Sequence, residues 1–221
     1  MSKKNISQEK IIQSFLTSAF DKSAGATSLS DVADSLQIKK ASLYNHFENR
    51  EEMYNSTIEL CKKEISDISF LSDKILDSIK NGKYTVVSLY KKLITRYFNL
   101  FETDPLFQMY VFIHTEQYFN EDALKVLNDT NEKLIDDIRK ITLCFIETGK
   151  IKEISEKEIK DIASGIAAMI LQQMDIYISQ KKEVVRQNPE SGVGTLFALP
   201  SDDVAISRAV KVVECYLKVV F

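Results

Sequence analysis

The sequence predicts an all-α protein: an N-terminal three-helix unit built around a helix-turn-helix, followed by a larger helical region. Three observations carry this. The stretch from Leu29 to Phe47, LSDVADSLQIKKASLYNHF, reads as two short helices joined by a tight turn, with a polar and basic outer face on the second. Apolar residues recur at helical spacing through the remainder, and no strand alternation competes with them. Six Gly and three Pro in 221 residues leave few turns and favour long helices.

A first helix is expected over about Gln8 to Lys22, because Ile11, Ile12, Phe15, Leu16, Ala19 and Phe20 mark one buried face, with Ser7 as its N-cap. Ser23-Ala24-Gly25-Ala26 breaks it. Thr27 or Ser28 caps a second helix that turns Val32, Ala33 and Leu36 inward. The chain turns at Leu36-Gln37-Ile38, and a third helix covers about Lys39 to His46, with Leu43 and Phe47 inward and Lys39, Lys40, Ser42 and Asn45 outside. Asn49 to Glu52 is a capping-box-like start for a fourth helix through Met53, Ile58, Cys61 and Ile65.

The larger region continues in helices. A short one over 74–80 stops at Asn81-Gly82. Residues 86–101 are apolar on more than one face and predict a central, enclosed helix. Asp104-Pro105 is an N-cap followed by Pro at the first helical position, opening an aromatic helix from Leu106 to about Glu116. A long amphipathic helix follows over 121–148, ended by Gly149, and Ser155 to Glu158 is a full capping box for a helix to about Lys182. Val184 to Pro200 holds two Gly and two Pro and reads as a long loop, long enough to suggest function or partner contact. Ser201 caps a last helix to about Val219.

The net charge of −3 excludes a globally basic nucleic-acid coat protein. The charge is uneven: residues 1–50 carry +2 and the remainder −5, as expected of a DNA-reading head on a body that avoids DNA. Cys61, Cys144 and Cys215 are widely spaced in apolar context and read as buried reduced thiols. No apolar leader and no apolar run of about 18 residues is seen, so a cytoplasmic protein without a membrane partner is expected. No GxSxG, P-loop, GxGxxG or Ser/His/Asp set is present, which argues against an enzyme and leaves no cofactor to expect. His114-x-Glu116 has no third ligand in register, so no metal site is expected.

Ala19-Phe20, Thr27 to Ala33, the run Ile38-Lys-Lys-Ala-Ser-Leu-Tyr-Asn-His-Phe47 and Arg50-Glu-Glu-Met53 together resemble the DNA-binding domain of TetR-family transcriptional regulators, over about residues 8–58. Two departures stand out. The family commonly has Gly at the turn position that Gln37 holds, so either the turn differs slightly or Gln37 sits in the left-handed region at a small cost. The loop after Phe20 is about one residue shorter than usual, with Gly25 displaced.

The resemblance implies a DNA-binding domain over 1–48 and a helical ligand-binding and dimerisation domain over 49–221. Lys39 and Lys40 are placed to reach base acceptors or phosphates, Ser42 and Asn45 are short polar contacts, and Ala41 is small enough to let the helix approach the groove floor. By the resemblance Tyr44 and Arg50 hold phosphates, as does Thr27 or Ser28, and His46 packs and hydrogen-bonds at the junction with the fourth helix.

A homodimer is implied, reading a pseudo-palindrome in double-stranded DNA through two heads. The last two helices would form the interface through Ile166, Ile170, Met174, Val212, Val213 and Tyr216, although the same stripes could face the chain's own core. Tyr97, Phe98, Phe101, Phe107, Met109, Tyr110, His114, Gln173 and Tyr177 are the candidate lining of a pocket for a small apolar or aromatic effector, or else an ordinary aromatic core. The function expected is a ligand-responsive regulator, most often a repressor. The alternative is a DNA-bound regulator without a small effector, controlled by a protein partner, with the 184–200 segment as its contact surface.

Overall fold

The structure, a computed structural model, describes residues 6–188 and 201–221, and every regular element among them is helical. In chain order they are α1 (Gln8–Lys22), α2 (Leu29–Ser35), a 3₁₀ helix (Lys40–Asn45), α3 (Arg50–Ser66), α4 (Asp73–Lys80), α5 (Val86–Phe101), α6 (Leu106–Glu116), α7 (Glu121–Glu147), α8 (Glu156–Gln187) and α9 (Asp203–Val220). The third helix of the head is therefore 3₁₀ rather than α, closed by an i+3 bond from Ser42 N–H to Lys39 O at 2.8 Å.

Helix starts follow local chemistry. Ser7 accepts from Lys10 N–H at 3.3 Å, and Ser28 with Asp31 and Ser155 with Glu158 form reciprocal capping boxes. Two starts shift by one residue. Pro105 sits at the N-cap of α6 rather than inside it, and Asp202, not Ser201, caps α9 through Ala205 N–H at 2.9 Å. Residues 184–187 of the expected loop continue α8, and residues 189–200 lie outside the described residues.

Three helix ends share one device. After α2, α4 and α7 the residue beyond the cap lies in the left-handed region: Gln37 (φ 56°), Gly82 (φ 72°) and Gly149 (φ 69°). At Gln37 the two bonds of a Schellman motif are made, Ile38 N–H to Ala33 O and Gln37 N–H to Asp34 O, both at 3.0 Å. Of the two expectations for this turn, the left-handed Gln37 is thus the one observed.

The chain packs as two compact units. The first comprises Met1–Asp67 and Pro105–Asn128, and the second Ile68–Asp104 and Asp129–Phe221. The sequence expectation sets residues 1–48 apart as one domain. The unit that holds it also contains α3, α6 and the first two turns of α7. Its core is built on Phe15 from α1, Leu43 from the 3₁₀ helix, Met53 and Ile58 from α3, and Met109, Phe112 and Ile113 from α6. Phe15, Tyr54 and Phe112 meet at ring separations of 6.1–6.5 Å. Gln108 of α6 accepts from Thr17 Oγ1 at 3.0 Å, a polar tie between α6 and α1.

The second unit packs α5 against α8 and α9. Leu89, Leu93, Tyr97 and Phe98 of α5, Ile166, Ile170 and Met174 of α8, and Ile206, Val213 and Leu217 of α9 are enclosed. Its first residues are pinned. Leu71 N–H donates to Asp137 at 3.1 Å, Arg96 to Phe70 O at 2.8 Å, and Lys133 to Ile68 O at 2.8 Å. One 18-residue window of α8 reaches a mean hydropathy of 1.2, enough by length and composition to cross a membrane, although the residue pattern read as a sequence showed no such run. Ile166, Ile170 and Met174 of that window are buried, whereas Ala168 and Ile176 are exposed. Cys61 and Cys144 are buried and Cys215 is exposed on α9, so only two of the three thiols are enclosed as expected.

Candidate nucleic-acid interface

The 3₁₀ helix is held by one side chain, Leu43, which is fully buried. A period of three places Ala41 beside Tyr44 and Ser42 beside Asn45 as the outward rows. Lys39, Lys40, Ala41, Tyr44 and Asn45 are exposed, Tyr44 at 51%, while Ser42 and His46 are half-buried. Among the described residues neither lysine forms an ion pair, so their charge is uncompensated where they stand. Lys39 at the N-cap, with Lys40, the Tyr44 phenol and the Asn45 amide on the helix itself, can meet phosphates and base edges.

The entry to α2 is arranged differently from expectation. Thr27 is 1% exposed and donates to Ser23 O at 2.9 Å, so its side chain belongs to the loop rather than the surface. Ser28 is exposed. Its N–H and hydroxyl both donate to the Asp31 carboxylate at 2.7 Å, which Lys22 meets at 2.5 Å. The Lys22 bond first, then the Ser28 bonds, hold the Asp31 carboxyl well below the ordinary carboxylate range. Arg50, expected at a phosphate, donates from Nε to Thr27 O at 2.8 Å and from Nη2 to Ala24 O, with its guanidinium 5.6 Å from the centre of the Phe15 ring.

The nine candidate pocket residues divide between the units. Phe107, Met109, Tyr110 and His114 lie in the first, where Phe107 meets Phe20 edge-on at 5.1 Å, Met109 is enclosed and Tyr110 stacks on His114 at 3.8 Å. Tyr97, Phe98, Phe101, Gln173 and Tyr177 lie in the second. There Tyr97 meets Phe101 at 5.0 Å and Phe98 meets Tyr177 at 5.4 Å. The Tyr177 hydroxyl donates to Glu102, whose carboxylate also takes Lys181 Nζ at 3.0 Å, and both charged side chains are only 9% exposed. Burial, then Glu102, pushes the Tyr177 hydroxyl far above its ordinary range. A cleft of about 540 Å³ opens beside this pair, lined by Tyr177, Gln180, Lys181, Val184, Asp202 and Val204 among others.

The six candidate interface residues also divide. Ile166, Ile170, Met174 and Val213 are enclosed by their own unit, because that side of α8 and α9 covers α5. Val212 is 39% exposed and Tyr216 half-buried. The outward sides are a second stripe: Ala168, Gln172 and Ile176 on α8, and Val212, Cys215 and Val219 on α9. Tyr216 and Gly165 bring them together, since a Cβ on Gly165 would stand 3.0 Å from the Tyr216 hydroxyl.

Residues 18–57 match the family described as bacterial regulatory proteins, tetR family. Over those residues the chain carries the DNA-binding segment of that family. It is 29% identical over 150 residues, 67% of this chain and 74% of the relative, to the biofilm operon icaADBC HTH-type negative transcriptional regulator IcaR of Staphylococcus aureus. Among solved structures it is similar to a protein of Mesorhizobium loti MAFF303099 described as a TetR-family transcriptional regulator, with a TM-score of 0.57 at 16% identity over 96% of this chain and 95% of that one. It is also similar to the regulator FadR of Bacillus subtilis in complex with stearoyl-CoA, with a TM-score of 0.51 at 15% identity over 94% and 96%. At these identities the structures speak for the fold alone, a helix-turn-helix head followed by a helical body.

Several residues of this chain matter in ways that local pattern does not signal. Arg50 meets carbonyls 23 and 26 residues away. Gln108 bonds Thr17 across 91 residues, and Tyr54 bonds Glu116 across 62. A polar residue inside an apolar helix face, such as Gln108 or Glu116 in α6, is the only sign the sequence offers of these ties.

Proposed function

We propose that this chain is a homodimeric, cytoplasmic transcriptional repressor that binds a pseudo-palindromic operator and is released by a small apolar or aromatic effector. The exposed, unpaired Lys39 and Lys40, beside Tyr44 and Asn45 on the 3₁₀ helix, are the observation that carries the DNA reading. Lys39, Lys40, Ser42 and Asn45 are assigned to base edges and nearby phosphates, Ala41 to close approach, Tyr44 and Ser28 to phosphates, and His46 to support from behind. Thr27 and Arg50 leave the contact set because their polar atoms are engaged within the head. The likeness to IcaR, a negative regulator, supports repression.

The dimer is assigned to the outward stripe around Val212, Tyr216 and Ile176. Two heads on one duplex would then read half-sites about 34–36 Å apart. The effector is assigned to the second unit, near Tyr97, Phe98, Phe101, Gln173 and Tyr177, and the long acyl chain of the stearoyl-CoA held by FadR supports one with an apolar part. An effector that binds one head spacing better than the other shifts the population away from the DNA-competent state.

The test is footprinting of the full chain on the duplex it selects from a random pool. Protection of an inverted repeat, lost with Lys40→Ala and Asn45→Ala, is expected. Unchanged affinity and sequence preference in both variants would remove the 3₁₀ helix from the interface.

A further inference from the structure

We infer that Arg50 is a positioning residue of the DNA-reading surface: it sets the entry to α2 by clamping the α1–α2 connection, and does not touch DNA. This rests on the DNA-reading proposal above. The connection over 23–28 is a difficult piece of chain. Ser23 has φ 80°, a left-handed conformation costly for any residue with a side chain. It is followed by three small residues, of which Ala24 is buried in the core while Gly25 and Ala26 are exposed.

The ends of the connection are tied locally, Ser23 N–H to Ala19 O at 2.8 Å and Ser28 N–H to Asp31 at 2.7 Å, and between them Thr27 N–H meets Ala24 O at 3.1 Å and the Thr27 hydroxyl meets Ser23 O at 2.9 Å. Arg50 adds the tie to a distant element. Nε takes Thr27 O at 2.8 Å, Nη2 takes Ala24 O, and the guanidinium lies 5.6 Å from the centre of the Phe15 ring. Arg50 is also the first residue of α3. One planar group therefore joins α1, the entry to α2 and the start of α3.

The consequence runs down the chain. Thr27 is followed by Ser28, the N-cap of α2, and α2 ends in the Schellman turn at Gln37 that delivers Lys39 and Lys40. A shift at 24–27 therefore displaces the whole helix-turn-helix against α1 and α3. A guanidinium presents donors in fixed directions and lies flat on an aromatic ring, whereas an ammonium cannot serve two carbonyls and a ring at once. Charge alone at position 50 is thus not sufficient.

The experiment compares the full chain with Arg50→Lys, Arg50→Ala and Lys40→Ala on the selected duplex, measuring affinity by anisotropy across a salt series and amide exchange over 23–30 in free protein. Both Arg50 variants are expected to bind at least about ten-fold more weakly, the equivalent of one lost charge-assisted bond. The slope of log affinity against log salt stays at the parental value, and amides 24–28 exchange faster in otherwise folded protein. A slope lower by about 0.9 would make Arg50 a phosphate contact and overturn the inference. So would full affinity in Arg50→Lys, which would show that charge suffices, or full affinity in both variants, which would show a merely structural role. If Arg50→Ala does not fold, Arg50→Lys decides alone. Lys40→Ala separates the two readings: if it leaves binding intact, the DNA-reading surface itself fails and the positioning role with it.

Discussion

The Tyr54 hydroxyl of α3 donates to Glu116 Oε2 of α6 at 2.8 Å, and both residues are buried. Burial, then the Glu116 carboxylate, pushes the Tyr54 hydroxyl far above its ordinary range, so it remains a donor throughout the working pH. Tyr54→Phe removes the donor and leaves a buried acceptor behind. A loss of about 1–3 kcal/mol is expected. It should register as a lower urea midpoint at unchanged slope, and an unchanged midpoint would show that Glu116 is satisfied otherwise.

Gln37 holds the left-handed position that glycine holds after α4 and α7. A side chain there costs roughly 1–2 kcal/mol, part of which glycine returns as unfolded-state entropy. Gln37→Gly is therefore expected to raise the thermal midpoint, while Gln37→Val lowers it. A lower midpoint for glycine would mean that the Gln37 side chain stabilises the turn.

Asp31 gives the head an acid limit. Its carboxyl lies below its unfolded value, so its contribution is present above that value, near 3.9, and is lost as pH falls further towards the folded one. The stability difference between the parent and Asp31→Asn is expected to be flat above about pH 5 and to shrink below about pH 4. Denaturation curves at stepped pH measure it. A difference that grows on acidification would reverse the sign.

The two sides of α8 should behave differently when altered. Ile176→Glu and Val212→Glu place charge on the outward stripe and are expected to give monomers by sedimentation velocity. Met174→Ala empties a site inside the unit and is expected to cost about 2–5 kcal/mol while leaving the oligomeric state unchanged. Gly165→Ala requires the Tyr216 hydroxyl to give way by a few tenths of an ångström and is expected to weaken association without that stability loss. Dimers in both Glu variants would place the interface elsewhere.

These contrasts follow what a one-dimensional pattern can hold. Ser7, Ser28 and Ser155 were readable as helix starts because a cap is a contact three residues long. The left-handed Gln37 was one of two readings of the turn, and it rested on the resemblance, which has glycine there, not on the apolar pattern. The 3₁₀ geometry of Lys40–Asn45 was not, since six residues with one buried anchor fit either helix. Nor was the partition of the aromatics: Phe101 and Phe107 are six residues apart and belong to different cores, and aromatic density does not say which. Ile166 and Ile170 were candidates for the partner because an apolar stripe does not reveal who covers it.

Met109, Phe112 and Ile113 complete the core around Phe15 and Met53, yet they arrive from a segment separated by 37 residues of the other unit. The DNA-reading part is consequently not a bead that can be exchanged along the string. A chimera that takes residues 1–67 from one relative and the remainder from another would pair a head with a foreign α6. Transplanting operator preference between members of this group therefore means moving residues 105–128 together with the head, as a single discontinuous cassette.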